Sequence, residues 1–312
     1  MARSHAVLAG LFDYAGLFPP ASLSLDTTLD TYARMRASGD GWMLGRLVVP
    51  ANRLGEVSAL APRYLPTEDG ADPWRISALG TSDLQADVAH IQTFNERHRS
   101  PAQGAAVVDT VETTVTSLAD VRALRVWGSR GFEVYCEVPL GDDLDPVLDA
   151  VAQGGLHGKV RTGGTTPASI PAADDVAAFL CGCVARGVVA KATAGLHHAI
   201  TGLHPLWTAP DAPQAVMLGY LNVILAAGIA EGAGRAAAQS AEVCATVAHL
   251  LSVTTAPTWP GHAQVDWRGP HGAIIEGPLE PFAVSGRALI RSIGTCALDE
   301  PVADARRIGL TR

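Results

Sequence analysis

Short apolar runs alternate with segments of helical periodicity along most of the chain. The apolar runs are bounded by glycine, proline or polar residues and are predicted strands, at 43–49, 74–79, 105–111, 132–138, 158–161 and 188–193. Segments whose apolar residues recur at helical spacing are predicted helices, at 27–37, 83–97, 118–126, 143–152 and 172–186. Strands that alternate with helices in this way predict a parallel sheet with right-handed crossovers.

A closed barrel accounts for this order better than an open sheet. No Gly-x-Gly-x-x-Gly fingerprint follows a predicted strand, so a dinucleotide-binding sheet has little support. We therefore predict an α/β fold in which residues 41–312 form a (β/α)8 TIM barrel. The stretches 219–224 and 272–276 are candidates for the last two strands. Residues 1–40 are predicted to form an N-terminal appendage or lid, and the Pro- and Gly-rich stretch 255–270 a long loop that could be a second lid.

Composition and charge narrow the class of protein. The chain is 48% hydrophobic and 17% charged, as expected of a globular protein. Its formal net charge of −8 argues against a nucleic-acid partner. The five cysteines show no CxxC pairing, which favours reduced thiols in the cytoplasm. The uncharged segment 212–230 contains Pro213, Gln214 and Asn222, so we expect it to be buried in the protein rather than in a membrane.

Lysine is rare in this sequence. The 23 basic residues include only two lysines, Lys159 and Lys191. Arginine keeps its proton at any useful pH, whereas a buried lysine can lose it, so both lysines are candidates for a site that arginine could not serve. Each lies in a short apolar run that leads to Thr and Gly. Compositional drift that happened to spare two lysines is the alternative interpretation.

Four ionisable residues occupy successive predicted strands. Asp109 and Glu137 are predicted near the ends of two strands, and Lys159 and Lys191 lie on the next two. Because active residues of such barrels lie at the carboxyl ends of the strands, the four side chains are predicted to converge on one cavity. Burial and nearby positive charge disfavour a charged amine, so one lysine could be neutral and attack a carbonyl. A set of buried ion pairs that closes the barrel would explain the same residues without catalysis.

Other residues near these strands are predicted to bind a substrate. Strand alternation places Arg161 on the face of Lys159 and Thr193 on the face of Lys191, and Arg46 interrupts the first apolar run. An arginine in this position suggests that the substrate carries a carboxylate or another oxyanion. The predicted substrate-binding residues are Arg46, Arg161, Thr162, Gly163, Thr193 and His197.

The order of these motifs resembles deoxyribose-phosphate aldolase and its class I aldolase relatives. The resemblance rests on Val108-Asp109, Glu137, Lys-x-x-Thr-Gly at 159–163 and Lys-Ala-x-x-Gly at 191–195, and it covers about residues 105–198. It implies that Lys159 forms a Schiff base, that Lys191 lowers the pKa of Lys159, and that Asp109 relays protons. Two departures, Arg161 in place of a small residue and the absence of a Gly-Gly pair after Lys191, put a phosphorylated substrate in doubt.

The sequence thus predicts a cytoplasmic lyase of the aldolase type, with a small carbonyl substrate, no cofactor, no metal, and a homodimer as the candidate assembly. One alternative is an isomerase, decarboxylase or hydrolase that uses lysine and histidine as acid and base, with or without a divalent metal. A zinc or iron site formed by His197, His204 and Glu137 belongs to that alternative. The other alternative is a non-catalytic barrel with buried ion pairs.

Overall fold

The strands occur in two settings, a barrel and two small antiparallel sheets. A computed structural model describes residues 2–207, 209–261, 264–269 and 272–311, and the side chains of 2–4 and 261 lie outside that description. In chain order the strands are β1 Phe12–Tyr14, β2 Leu44–Pro50, β3 Trp74–Leu79, β4 Ala106–Thr114, β5 Glu133–Glu137, β6 His157–Arg161, β7 Ala190–Thr193, β8 Gly202–Pro205, β9 Gln214–Met217, β10 Thr258–Gly261, β11 Gln264–Gly269, β12 Gly272–Pro278 and β13 Ile290–Thr295.

Eight of these strands close into a parallel barrel. The order around it is β1-β2-β3-β4-β5-β6-β7-β13, and β13 pairs with β1 to complete the ring. The remaining strands lie in the segment between β7 and β13, as the pair β8-β9 and the antiparallel sheet β10-β11-β12. The predicted TIM barrel is therefore confirmed, with a long insertion before its last strand.

Helices follow the barrel strands and pack their apolar faces on them. They are α1 Ala2–Leu8, α2 Leu25–Ala37, α3 Leu54–Tyr64, α4 Leu84–Arg97, α5 Leu118–Gly128, α6 Leu144–Gly154, α7 Ala173–Arg186, α8 Tyr220–Ala233, α9 Ala241–Ser252, α10 Leu279–Leu289 and α11 Asp299–Arg307. Ser117 shows how the sequence starts such a helix: its hydroxyl accepts the backbone N–H of Asp120, and the Asp120 carboxylate accepts the N–H of Ser117. Gly187 ends α7 in the left-handed conformation that glycine adopts without strain.

Among the residues that the structure describes, one helical stretch passes the length and composition test for a membrane span. It is Pro167–Arg186, which includes α7. Its large apolar side chains Val176, Phe179 and Leu180 are fully buried inside the protein. A helix that packs into a core satisfies the same test, so the finding is weak evidence for a membrane.

Three predictions about chain segments are corrected by this architecture. Residues 12–14 form β1, so the segment 1–40 is not an appendage but supplies a barrel strand and the helix α2. The stretch 219–224 lies in α8, and 272–276 belongs to the antiparallel sheet, so neither is a barrel strand. Within 255–270, the described residues 258–261 and 264–269 form β10 and β11 of that sheet, so the segment is not one long loop. Short strands next to apolar helices have no distinctive period, which explains these errors.

The strand β4 is longer than its apolar run and contains a bulge. Ile76 of β3 pairs with Val108, whereas the next residue, Ser77, pairs with Thr110, so Asp109 is an extra residue in the ladder. Regular alternation would put Asp109 and Glu112 on opposite faces of the strand. Because the bulge lies at Asp109, both carboxylates contact charged side chains inside the barrel.

Candidate active site

The two lysines lie side by side inside the barrel. Lys159 and Lys191 are direct partners in the register between β6 and β7, so both side chains project from the same level. The Lys191 Nζ lies 2.6 Å from Asp13 Oδ2 and 2.5 Å from Glu112 Oε1. The Lys159 Nζ lies 2.8 Å from Glu112 Oε2 and 3.1 Å from Glu137 Oε2. Glu112 thus bridges the two amines with one oxygen for each.

Neighbouring donors hold the two innermost carboxylates in place. Ser292 Oγ donates to Asp13 Oδ2 at 2.7 Å, and the Arg46 backbone N–H donates to Asp13 Oδ1 at 2.6 Å. Ser77 Oγ donates to Glu112 Oε1 at 2.6 Å. A Cβ at Gly45 would overlap Asp13 Oδ1, so this carboxylate needs glycine on β2. The orientation of both carboxylates is therefore fixed by the barrel as well as by the lysines.

The charges of this cluster stabilise each other. Burial by itself would lower the pKa of Lys191, but Asp13 and Glu112 outweigh it and the pKa is raised. Burial would raise the pKa of Glu112, but Lys159 and Lys191 hold it far below its ordinary value. Glu137 follows the same rule, since Lys159 and Arg161 lower its pKa against the effect of burial. Lys191 is therefore an ammonium ion at neutral pH and is not the neutral amine.

A cavity of about 430 Å³ opens at the carboxyl ends of the barrel strands. Lys159, Glu112 and Arg161 line it, whereas Lys191 lies deeper and is not among its lining residues. The two lysines thus differ in access, although both are almost fully buried. A small molecule in this cavity would meet the Lys159 side chain, the lysine expected from the sequence to be the nucleophile.

Four of the six predicted substrate-binding residues line this cavity: Arg161, Gly163, Thr193 and His197. Thr162 does not line it, because its hydroxyl donates to the Ala194 carbonyl oxygen at 2.6 Å and ties together the loops that follow β6 and β7. Arg161 Nε donates to Glu137 Oε1 at 2.9 Å while half of its side chain is exposed. It is thus placed to bind an anion at the cavity wall.

Asp109 and Arg46 belong to a different cluster. Arg46 Nε lies 2.7 Å from Asp109 Oδ1, and Arg46 Nη2 lies 3.0 Å from Glu133 Oε2. Arg75 Nε donates to Asp109 Oδ2 at 2.6 Å. Because Arg75 and Glu133 lie at the starts of β3 and β5, this network fills the amino end of the barrel. The prediction that Asp109 lies at a strand end beside the lysines is wrong, and the bulge in β4 puts Glu112 there instead.

The loops after β6 and β7 touch through their backbones. A Cβ at Gly163 would lie 2.7 Å from the Gly195 Cα, and Gly195 adopts a positive φ of 74°. Side chains at these two positions would separate the loops or strain the turn. The Thr-Gly and Ala-Gly pairs that follow the lysines in the sequence therefore shape the wall of the cavity.

His197 lines both the cavity of Lys159 and an adjoining cavity of about 310 Å³. Its Nδ1 is 3.0 Å from Glu300 Oε2, and its Nε2 is 3.7 Å from Cys296 Sγ. Burial acts against the charged imidazole, but hydrogen bonding to Cys296 and Glu300 raises the pKa of His197 to about 9. His197 is therefore protonated at neutral pH.

The other histidines do not form the metal site considered from the sequence. His204 stacks on His198, with ring centroids 3.5 Å apart, and His198 Nδ1 lies 3.3 Å from Asp304 Oδ2. Among the described residues, no group of three or more His, Cys, Asp or Glu side chains is arranged to hold a metal ion. The combination of His197, His204 and Glu137 is thus not assembled in the described part of the chain.

Four residues of the site are not among those predicted from the sequence: Asp13, Glu112, Cys296 and Glu300. The strand could have been extended to Glu112, because Thr110 to Val115 retains strand-forming residues, but regular alternation from Asp109 would have placed Glu112 on the opposite face. Nothing in the three residues of β1 distinguishes Asp13 as a barrel side chain.

Comparisons with known proteins identify no relative of this chain. No protein-family model matches it, and no curated protein or solved structure is significantly similar to it. The fold is one in which enzymes carry their active sites at the carboxyl ends of the strands, and the charged cavity of this chain occupies that end.

Proposed function

We propose that this protein is a lyase of the class I aldolase type, in which Lys159 forms a Schiff base with a small carbonyl substrate. The observation that carries the proposal is the access of Lys159 to the cavity, next to two carboxylates and a second, buried lysine. A covalent amine mechanism needs a lysine within reach of substrate and a neighbouring group that takes its proton.

Glu137 is the better proton acceptor of the two carboxylates that contact Lys159. Its side chain is 12% exposed, against 2% for Glu112, and it contacts one lysine, whereas Glu112 contacts two. Transfer of the Lys159 proton to Glu137 would give the neutral amine, which attacks the carbonyl carbon. The same carboxyl group would return a proton to the carbinolamine oxygen so that water leaves, and the resulting iminium would accept the electrons of the breaking carbon–carbon bond.

Lys191 and Arg161 would supply positive charge on two sides of Lys159, one buried behind Glu112 and one at the mouth of the cavity. The ammonium of Lys191 lies behind Glu112 and shares that carboxylate with Lys159, so Glu112 cannot fully neutralise both amines. Lys191 would in this way supply a fixed positive charge next to the amine that attacks the carbonyl. Arg161, at the mouth of the cavity, would bind a substrate carboxylate or another oxyanion.

Borohydride trapping tests the proposal. The protein is incubated with a panel of small aldehydes and 2-oxo acids, reduced with borohydride, digested, and analysed by peptide mass spectrometry. We expect mass to be added to the peptide that contains Lys159, and the Lys159→Arg variant to remain unlabelled. Labelling of Lys191 alone would reverse the roles of the lysines, and no labelling with any carbonyl compound would remove the Schiff-base mechanism.

Acid–base chemistry without a covalent intermediate is the second candidate. It is favoured by the ion pairs of Lys159 with Glu112 and Glu137, together with the protonated His197 in the wall of the same cavity. An isomerase or decarboxylase could use these groups to donate and accept protons. Exchange of substrate hydrogen with deuterated solvent, in the absence of borohydride trapping, would favour this candidate over the aldolase.

A further inference from the structure

Three side chains from separate elements meet beside the cavity of Lys159. Cys296 follows the last residue of β13, His197 follows β7, and Glu300 lies in the first turn of α11. Cys296 Sγ is 3.7 Å from His197 Nε2, and Glu300 Oε2 is 3.0 Å from His197 Nδ1. The imidazole is thus held between a thiol and a carboxylate, with one ring nitrogen facing each.

This arrangement has the order of a nucleophile, a histidine that exchanges protons with it, and a carboxylate that orients the histidine. Glu300 accepts the Nδ1 proton, which leaves Nε2 to exchange a proton with the sulfur of Cys296. His197 is 8% exposed, so its imidazole ring is largely removed from water. Cys296 is partly exposed and lines both the cavity of Lys159 and the adjoining cavity of about 310 Å³.

We propose that Cys296 is a thiolate nucleophile activated by His197 and Glu300, and that it adds to the carbonyl carbon of small aldehydes. In this step the sulfur lone pair forms the S–C bond and the carbonyl π electrons move to oxygen. His197 Nε2 donates its proton to that oxygen, which gives a neutral hemithioacetal, and the reverse step regenerates the pair. No leaving group, oxidant or reductant is needed. The inference does not depend on the Schiff-base mechanism, because it uses none of the lysines.

The other cysteines have surroundings of a different kind. Cys136, Cys181 and Cys183 are fully buried, and burial raises the pKa of each thiol. Cys244 is partly exposed like Cys296, but its Sγ donates to the Ala238 carbonyl oxygen at 3.6 Å. Cys244 is therefore a matched internal reference for the reactivity of a partly exposed thiol.

Other polar groups lie close to Cys296 or share a cavity with it. Besides His197 and Glu300, they are the neutral phenol of Tyr14 and the side chain of Asp299, which line a cavity with Cys296, and Arg161, which lines the cavity of Lys159 with it. Among these groups, His197 is in direct contact with the sulfur, since its Nε2 lies 3.7 Å from Cys296 Sγ, so His197 is the activating group in the proposal.

Alkylation with iodoacetamide at pH 6 measures the thiolate directly. Thiols paired with a protonated histidine have pKa values of about 3.5–7.5, against about 8.5 for a free thiol, so a free thiol is under ~1% thiolate at pH 6. A thiolate of lower pKa is a weaker nucleophile, and this reduces the rate advantage that comes from the larger thiolate fraction by roughly tenfold. We expect Cys296 to be alkylated about tenfold faster than Cys244, as followed by peptide mass spectrometry.

Variants of the two partners separate activation from exposure. His197→Gln should reduce the rate at Cys296 to that of Cys244, and Glu300→Gln should reduce it partly, with circular dichroism used to verify folding. Equal rates at Cys296 and Cys244 in the wild-type protein would overturn the proposal. So would an unchanged Cys296 rate in folded His197→Gln or, if that variant does not fold, an unchanged rate in Glu300→Gln.

Carbon NMR with glycolaldehyde labelled at its carbonyl carbon tests the substrate class. A sulfur-bound carbon resonance should form with the wild-type protein, disappear in Cys296→Ser and persist in Lys159→Arg. An imine resonance that is lost in Lys159→Arg would instead report on the proposed aldolase, so the two proposals can fail separately. Absence of the sulfur-bound species at saturating aldehyde would overturn the assignment of aldehydes as its substrates.

Discussion

Glu112 is the residue whose replacement tests the charge arrangement most directly. Its two oxygens contact both lysines, at 2.5 and 2.8 Å, and its side chain is almost completely buried. The Glu112→Gln substitution keeps the shape of the side chain and removes the negative charge. It leaves the ammonium groups of Lys159 and Lys191 facing a neutral amide inside the barrel. We expect a large loss of stability for this reason.

The magnitude follows from the contacts that remain. Breaking a buried ion pair costs about 3–5 kcal/mol when one charge is left without its partner. Asp13 stays 2.6 Å from Lys191 and Glu137 stays 3.1 Å from Lys159, so the lower end, about 3 kcal/mol, applies. With an unfolding entropy of about 2.1 cal/mol/K per residue, a chain of 312 residues should then melt about 5 °C lower. The depressed pKa of Glu112 means that its contribution is fully present above its unfolded-state value of about 4.3, and is lost as the pH falls further.

Thermal and denaturant unfolding at pH 7 measure this loss, and Asp109→Asn is the matched control. Asp109 is also paired with two cationic side chains, but it is more exposed than Glu112 and it contacts neither lysine in the described part of the structure. Borohydride labelling of Lys159 should persist in both variants, because neither substitution removes the amine of Lys159 or its access to the cavity. A melting temperature within about 1 °C of wild type for Glu112→Gln would refute the reasoning. Destabilisation without labelling of any form of the protein would favour a non-catalytic barrel with structural ion pairs.

Three further outcomes are expected. Because the folded-state pKa of Lys191 is raised, its contribution to stability is fully present below its unfolded-state pKa of about 10.4 and is lost as the pH rises through the folded-state pKa. The stability difference between wild type and Lys191→Met should therefore be constant from about pH 7 to 9.5 and shrink above that. A change in this difference between about pH 7 and 9 would contradict the prediction. Gly163→Ala should lower the free energy of unfolding by about 1–3 kcal/mol and lower the rate of borohydride trapping at Lys159, because the new Cβ would lie 2.7 Å from the Gly195 Cα. Gly232→Ala, where a Cβ has open space, is the control. Equal stability of the two variants would argue against close contact of the loops. Schiff-base labelling should survive exhaustive chelation, and loss of labelling together with a stoichiometric divalent metal would show that a metal takes part.

The sequence predicted the repeating part of the barrel well. Six predicted strands correspond to β2 through β7, because each is a short apolar run bounded by glycine, proline or polar residues, and four of them, β3 to β6, precede a helix of clear periodicity. The first and last barrel strands were not found, since β1 has only three residues and β13 follows a long insertion with its own sheet. Their positions are set by closure of the barrel, which no local pattern encodes.

The lysines were identified from the sequence, whereas their partners were not. Lys159 and Lys191 stand out by rarity and by their repeated context, and the register between β6 and β7 brings them together as neighbours. Glu112 depends on a bulge at Asp109, and a single extra residue reverses the alternation that follows. Asp13 reaches Lys191 from a position 178 residues earlier in the chain. Such pairings depend on the closed topology and not on spacing in the sequence.

Depth in the barrel explains how two similar lysines can take different roles. Lys191 and Asp13 do not line the cavity; Lys191 is fully buried and its pKa is raised, so it remains charged. Lys159 shares Glu112, which does line the cavity, and also reaches Glu137 and the cavity itself. A substrate in the cavity can approach Lys159 directly, whereas it cannot approach Lys191. The arrangement therefore combines a fixed positive charge with an accessible amine, and the shared carboxylate makes the proton affinity of one depend on the charge of the other.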